Sequence, residues 1–266
     1  MADLTDDVQR ALKDTAHALA EAAREATLLH FRKAGLAADS KEAARFDPVT
    51  VADRLAEERM RAILAERRPE DAILGEEYGR KAGTSGLTWV LDPIDGTRGY
   101  LSGTPTWGVL ISVADATGPI YGLIDQPFIR ERFEGGFGVA RVVGPSGAFP
   151  LACRPARPLG EAILLSTFPE VGTAAEHAAF RRVAESVRLV RYGMDCYGYA
   201  LLAAGQVDLV IEAGLQAYDV QAPIAVIEAA GGVVTDWQGG PCHQGGQVLA
   251  AANAAVHAEA LALLNR

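Results

Sequence analysis

Cysteine is scarce in this chain: Cys153, Cys196 and Cys242 are its only three in 266 residues, and no two form a CxxC pair. An odd, scattered set excludes a disulfide framework and a thiolate zinc site, and reads as reduced thiols. Basic charge is also short. Twenty-five Lys and Arg face 34 Asp and Glu, giving a net charge of -9, so no cationic excess exists to displace counterions from a nucleic-acid backbone. No uninterrupted apolar run approaches the roughly 20 residues that span a bilayer. The opening Met1-Ala-Asp-Leu-Thr-Asp-Asp7 carries acids where a secretory leader needs a basic and then an apolar stretch. The five histidines show no HxxxH spacing, and neither Ser112 nor Ser166 sits in a nucleophile elbow. The expectation is a cytoplasmic protein with no nucleic-acid or membrane partner, whose surplus acids suit the holding of cations.

What the sequence does contain is an ordinary globular balance, 49% hydrophobic and 22% charged residues. Residues 3–32 read as one helix, with Val8, Leu12, Ala16, Leu19 and Ala23 recurring at steps of three and four. Gly35 and the polar Asp39–Glu42 stretch interrupt it. A second helix is predicted over Val51–Arg68, opened by a Thr50/Asp53 capping box. Short strands are predicted at Ala72–Leu74, Thr88–Leu91, Trp107–Val113, Ile120–Ile124 and Arg132–Phe137, close enough to imply antiparallel pairing. Gly144–Gly160 is rich in Pro and Gly and marks a boundary between two packed halves, about 1–150 (α+β) and 151–266 (α/β), of a single domain. Beyond it, strands at Ala162–Ser166, Val187–Arg191 and Val207–Glu212 alternate with helices at Ala174–Ser186, Tyr197–Ala204 and Val220–Ala229. Short strands near Val233 and Val248 and a final helix complete the pattern.

The chemistry concentrates where apolar strands end. In Trp89-Val-Leu-Asp-Pro-Ile-Asp-Gly-Thr97, Asp92 and Asp95 follow a strand, Pro93 stiffens the backbone between them, and Gly96 permits a tight turn. The amides of Gly96 and Thr97 are placed to open a helix and meet a phosphate. Two carboxylates so close repel, and a divalent cation relieves them; oxygen-only donors select a hard ion such as Mg²⁺. Asp, Pro and Gly are also the composition of a surface turn. Glu76 and Glu77 likewise end an apolar strand, or stand in a solvated loop. Asp53 and Asp219 each open a helix and each suits a capping role. Capping and turns do not explain four such acids without basic partners in sequence.

These residues resemble the signatures of the inositol monophosphatase family. Trp89–Tyr100 resembles the first, and Tyr218-Asp219 with Glu228-Ala-Ala-Gly-Gly232 the second; Gly75-Glu-Glu77 and Pro48-Val-Thr-Val-Ala-Asp53 match two smaller motifs. The resemblance implies a layered αβαβα sandwich of α/β and α+β halves. Within the family, the likeness is nearest to phosphatases acting on histidinol phosphate. Ser40-Lys41 leading into Pro48–Asp53, Gly122–Arg132, and Tyr192–Gly205 continuing through Val207–Asp219 carry it. Met194, Gln221 and Pro223 depart from that pattern.

The resemblance further implies two or three Mg²⁺ ions, held by Glu76, Asp92, the carbonyl of Ile94, Asp95 and Asp219, with Asp92 bridging a pair. Glu77 would support Glu76. Asp53, Thr97 and Glu76 would be the catalytic residues, Thr97 linked to Asp53 and activating a water. Ile94, Asp95, Gly96, Thr97 and Asp219 would surround the phosphate, and Asp195 and Glu212 the organic part; Arg191 would meet the phosphate or orient these two acids, or else form an ordinary strand-end salt bridge. The implied substrate is a small phosphate monoester, histidinol phosphate in histidine biosynthesis, and the implied assembly a homodimer. Inositol or sugar phosphates on the same site are the alternative reading, and a silent binding protein with the same fold a further one.

Overall fold

The computed structural model describes residues 4–33, 38–40 and 48–266. Gly35 and Lys41, singled out above, lie outside them, as does the first residue of the predicted opening helix. That helix, α1 (Asp6–Leu28), starts where the Thr5 side chain accepts the Val8 N–H, and Asp6 and Asp7 suit its positive end. The backbone of β1 (Ala38–Ser40) pairs antiparallel with β2 (Pro48–Thr50). Thr50 and Asp53 then form the expected capping box of α2 (Val51–Arg67).

An eight-stranded sheet follows, built from β3 (Ala72–Gly75), β4 (Gly79–Lys81), β5 (Thr88–Asp95), β6 (Gly108–Asp115), β7 (Gly118–Gln126), β8 (Glu131–Gly136), β9 (Val139–Gly144) and β10 (Gly147–Pro150). Its order is β10-β9-β8-β7-β6-β5-β3-β4, and a short helix α3 (Thr97–Ser102) leaves the end of β5. Antiparallel pairing was expected throughout, but β3 and β5 run parallel. The reason is β4, which turns back along the outer edge of β3 and lets the chain re-enter on its other side. The sequence reading also left β4, β9 and β10 unassigned; these are short strands at or near the sheet edges with exposed residues along them.

The second sheet has five strands, β11 (Ile163–Ser166), β12 (Leu189–Tyr192), β13 (Leu209–Gln216), β14 (Val233–Thr235) and β15 (Gly245–Ala251), in the order β12-β11-β13-β15-β14. Helices α4 (Ala174–Ala184), α5 (Cys196–Ala203), α6 (Ala217–Ala229) and α7 (Ala254–Leu264) complete it.

Strand alternation sorts the core into layers. Val109, Ile111, Val113, Tyr121 and Leu123 face α1 and α2, packing on Leu12, Leu19, Met60 and Leu64. Leu110, Ile124 and Phe133 face the other way, onto α5 and α6, and meet Val210, Val248 and Ala250 of the second sheet. Leu209, Ile211, Leu249 and Ala251 point outward to Phe180, Val183, Val256 and Ala260 of α4 and α7. The chain is therefore the layered αβαβα sandwich of α/β and α+β halves that the sequence implied. Both sheets are covered on both faces, which is why their central strands read as continuous apolar runs.

Two details of α6 differ from expectation. Asp219 is not the N-cap but the third residue of the helix, and its carboxylate accepts the N–H of the true cap, Gln216, at 2.7 Å. Pro223 lies inside the helix, in its second turn, so it cannot donate to the carbonyl of Asp219 four residues back. Among the described residues no helix is long and apolar enough to cross a membrane.

Buried charge ties α1 to this frame. Asp125 on β7 is fully buried between Arg24 of α1 and Arg132 of β8, at 2.5 and 2.7 Å. Beside it, Glu134 accepts bonds from His17, Tyr121 and Arg141. Burial pushes the Glu134 carboxyl up, but these three donors more than reverse that and hold it at about 2. A depressed carboxylate stabilises the fold above its unfolded value, 4.5, and that contribution disappears as pH falls towards 2. We expect Glu134→Gln to cost on the order of 3 kcal/mol near neutrality. In urea titrations the gap between parent and variant should close as pH drops from about 5 to about 2; a constant gap would show that ionisation is not its source.

Candidate metal and phosphate site

The site forms where three chain ends meet. In a regular strand Asp92 and Asp95, three residues apart, would face opposite sides of the sheet. Strand β5 avoids this with a bulge: Asp92 pairs with Leu110 and Asp95 with Gly108, so one extra residue is absorbed between them and the two carboxylates face the same way. Asp92 steadies the bulge by accepting the Ile94 N–H at 3.0 Å, across Pro93. Because β3 runs parallel to β5, with Gly75 beside Leu91, the next residue, Glu76, arrives next to Asp92; its N–H donates to Leu91 O at 3.1 Å. The first turn of α6 supplies Asp219 from the opposite side.

Asp92, Asp95 and Asp219 each offer an oxygen within 4.8 Å of one another. Burial foremost, then the charges of Glu76, Asp95 and Asp219, pushes the Asp92 carboxyl well up. Asp95 is raised in the same way, by burial and then by Asp195 and Asp219. Asp53 belongs to the same basin. It is fully buried, its Oδ2 accepts the amide and hydroxyl of Thr50 at 2.8 and 2.6 Å, and its Oδ1 has no partner among the described residues. Burial, reinforced by Glu76, lifts its pKa to about 6. The donors are all oxygens and the charges share one sign. With an orphaned buried acceptor beside them, these residues fit a hard divalent cation.

Gly96 follows the bulge with φ of 84°, the left-handed region that favours glycine, and a Cβ there would lie 2.7 Å from Cγ of Asp195. α3 begins at the next residue, as the sequence suggested. The expected link from Thr97 to Asp53 is not formed: the Thr97 hydroxyl donates to Ile94 O at 3.1 Å, the nearest carbonyl of its own turn.

The second half closes the site through α5. Asp195 is its N-cap residue, held at φ of 47° and ψ of -144°, a strained conformation for a residue with a side chain. Its carboxylate accepts the Thr106 hydroxyl at 3.1 Å, and the following amide, of Cys196, donates to Asp95 Oδ2 at 2.6 Å. Glu212, 7% exposed, accepts the Thr167 N–H at 2.6 Å and the Ser166 hydroxyl at 3.3 Å. Burial pushes it up to about 7, with Asp195 adding to the shift. Asp195 and Glu212 are thus brought to the same side of the acid cluster. Arg191 is exposed on edge strand β12, and among the described residues it forms no ion pair. Cys196 is a buried thiol, as expected; its sulfur accepts from Gln126 at 3.3 Å.

Sequence reasoning missed Glu57. It is fully buried on α2, and its carboxylate accepts the N–H groups of Glu77 and Tyr78 at 2.7 and 3.2 Å. The available signal was its position four residues after Asp53, on the same helix face.

An all-oxygen acid cluster next to a glycine turn is apparatus for cation-assisted phosphate chemistry. Residues 8–266 match the inositol monophosphatase family, and the chain belongs to it: it is a phosphatase of a metal-dependent family. It is 42% identical to the chloroplastic bifunctional phosphatase IMPL2 of Arabidopsis thaliana, over 84% of this chain and 63% of that protein's length. It is 34% identical to a histidinol-phosphatase of Streptomyces coelicolor, over 100% of this chain and 99% of the other. Among solved structures, an inositol monophosphatase from Zymomonas mobilis is 35% identical, superposes with a TM-score of 0.85, and is covered over 100% of its length by 99% of this chain.

Raised carboxyls set the sign of a stability test. A carboxyl whose folded pKa exceeds its unfolded value opposes folding once pH rises through the folded value. Asp95→Asn should therefore leave the melting temperature in EDTA unchanged or higher. Mg²⁺ at about a hundred times its Kd should stabilise the parent by roughly 2.7 kcal/mol, and the variant far less. Equal Mg²⁺ shifts in both proteins would remove Asp95 from the cation site.

Proposed function

We propose that this chain hydrolyses histidinol phosphate to histidinol and inorganic phosphate, using Mg²⁺ held by Glu76, Asp92, Ile94 O, Asp95 and Asp219. The observation that carries this reading is the pair of acids beyond the metal cluster. Asp195 and Glu212 face a substrate's organic part with negative charge, which favours an alcohol bearing an ammonium or imidazolium over a neutral polyol. The full-length likeness to a histidinol-phosphatase supports the same choice.

When bound, Mg²⁺ neutralises charge on the phosphoryl oxygens and acidifies the attacking water. The protein's own groups do the rest. The amides of Gly96 and Thr97 hold the phosphate against the acids. Thr97 orients the water, and Asp53 Oδ1, buried without a donor and with a pKa of about 6, is the atom at which its proton is held. Glu212 and Asp195 orient the cationic alcohol. Two or three ions per site, a cytoplasmic location and a homodimer belong to the same proposal. The likeness to an inositol monophosphatase of closely similar fold favours a second reading, an inositol phosphate on the same metal site.

Kinetics separate the two. Histidinol phosphate should show the higher kcat/KM; a preference for inositol monophosphate would overturn the assignment. Glu212→Gln should raise KM for histidinol phosphate roughly tenfold or more, the worth of a hydrogen bond to a charged group. It should leave KM for an uncharged phosphate ester near the parental value, and equal effects on both would exclude Glu212 from recognition.

A further inference from the structure

We infer that Glu57 is a positioning residue for the cation site, acting through the turn that carries Glu76. This rests on the reading of Glu76 as a cation ligand.

The β3–β4 turn is held from one side by the sheet and from the other by α2, where the Glu57 carboxylate takes two of its amides and Glu58 accepts the Tyr78 hydroxyl at 2.5 Å. On the sheet side, the Glu76 N–H donates to Leu91 O. On the helix side, Glu57 Oε2 accepts the Glu77 N–H at 2.7 Å, and Oε1 accepts both the Tyr78 N–H at 3.2 Å and Arg61 Nε at 2.7 Å. Arg61 continues to Gly79 O at 2.5 Å, so the turn is clasped at both of its ends. Glu76 sits between two fixed points and has little freedom to leave Asp92.

Gly75, which ends β3, is shaped to this clasp. Its φ is not in the left-handed region, so backbone freedom does not call for glycine there. Space does: a Cβ would lie 1.9 Å from Glu57 Oε1. The sequence has given up a side chain on a buried strand to admit the carboxylate. A fully buried carboxylate is also a costly way to close a hairpin, since desolvating the charge offsets much of what its bonds return. Water would satisfy the same amides at a surface turn. What the buried group adds is a fixed direction for the neighbouring acid, as outer partners of metal ligands do. Arg61 balances its charge, so Glu57 does not join the repulsion inside the cluster.

The test is Mg²⁺ binding to the substrate-free protein, measured by calorimetry. Glu57→Gln puts an amide donor where three donors need acceptors, and should weaken Mg²⁺ binding on the order of tenfold or more. KM for phosphate ester at saturating Mg²⁺ should stay near the parental value. Met60→Ala, which empties a buried site on the same helix away from the turn, should lower the melting temperature while keeping the parental Mg²⁺ affinity. Should Glu57→Gln fail to fold, Gly75→Ala, which displaces the carboxylate from its seat, should show the same weakening. Folded Glu57→Gln or Gly75→Ala with parental Mg²⁺ affinity, while Glu76→Gln is weakened, overturns the inference alone. A loss in Met60→Ala as large as in Glu57→Gln also overturns it, because general loosening then accounts for the effect. Parental affinity in Glu76→Gln overturns the reading of the site, and the inference with it.

Discussion

Repulsion among carboxylates that the fold will not let separate is the constraint on which this structure is organised. Two unit charges 4 Å apart oppose each other by about 4 kcal/mol at an effective dielectric constant near 20. Asp92, Asp95 and Asp219 lie at such distances, with Glu76 alongside. Surface ion pairs, at roughly 1 kcal/mol or less, are too weak to hold them. Burial of large apolar side chains, each contributing about 1.5–3 kcal/mol, is strong enough. The strands that end at the site are those whose side chains are covered on both faces: Leu91 and Val109 beneath α1 and α2, Leu110 beneath α6. The layers therefore position the acids and offset the energy of crowding them.

Three local devices aim the charges. The bulge in β5 turns Asp95 to the side of Asp92, parallel alignment of β3 brings Glu76 beside them, and the first turn of α6 presents Asp219 from across the gap. A fourth device joins the halves. Asp195 is held in a conformation costing about 1–3 kcal/mol, and the contacts that keep it there include the seat over Gly96, the Thr106 hydroxyl on its carboxylate and the Cys196 amide on Asp95. The strain lies between Asp95 of the first sheet and α5, which packs on the second. A shift in either would be felt by the other through Asp95.

Much of this was legible in the sequence because it is local. The capping box at Thr50 and Asp53, the apolar run into Asp92 and the glycine at 96 each follow from neighbours in the chain, and the layered class follows from strand and helix spacing. Non-local features were not legible. The parallel pairing of β3 and β5 depends on which side of β3 the chain returns to, and nothing within residues 72–95 encodes that. Asp219 was read as a cap because it precedes an apolar run, yet Ala217 and Tyr218 join the helix ahead of it once Gln216 takes the capping position. Glu57 was not singled out, because its partners, the amides of Glu77 and Tyr78, lie about twenty residues away. Arg191 likewise was read from its place in the chain before Tyr192, and the fold puts it on the exposed edge strand β12.

The distribution of charge also bears on what the site selects. Cations bound among Glu76, Asp92, Asp95 and Asp219 would cancel the charge of the cluster and of a phosphate placed against it. Asp195, which also feels the charge of Arg98, and Glu212 then stand outside that cancellation, and on the proposed reading they face the substrate's organic part. Glu212 has a raised pKa, about 7, because it is buried and faces Asp195. An incoming cation would oppose both, since its charge attracts the carboxylate and favours the ionised form although the group stays buried. A neutral polyol would do neither, and would leave Glu212 partly protonated beside Asp195. On the proposed reading, discrimination between a cationic and a neutral alcohol would follow from linkage between substrate charge and one carboxyl.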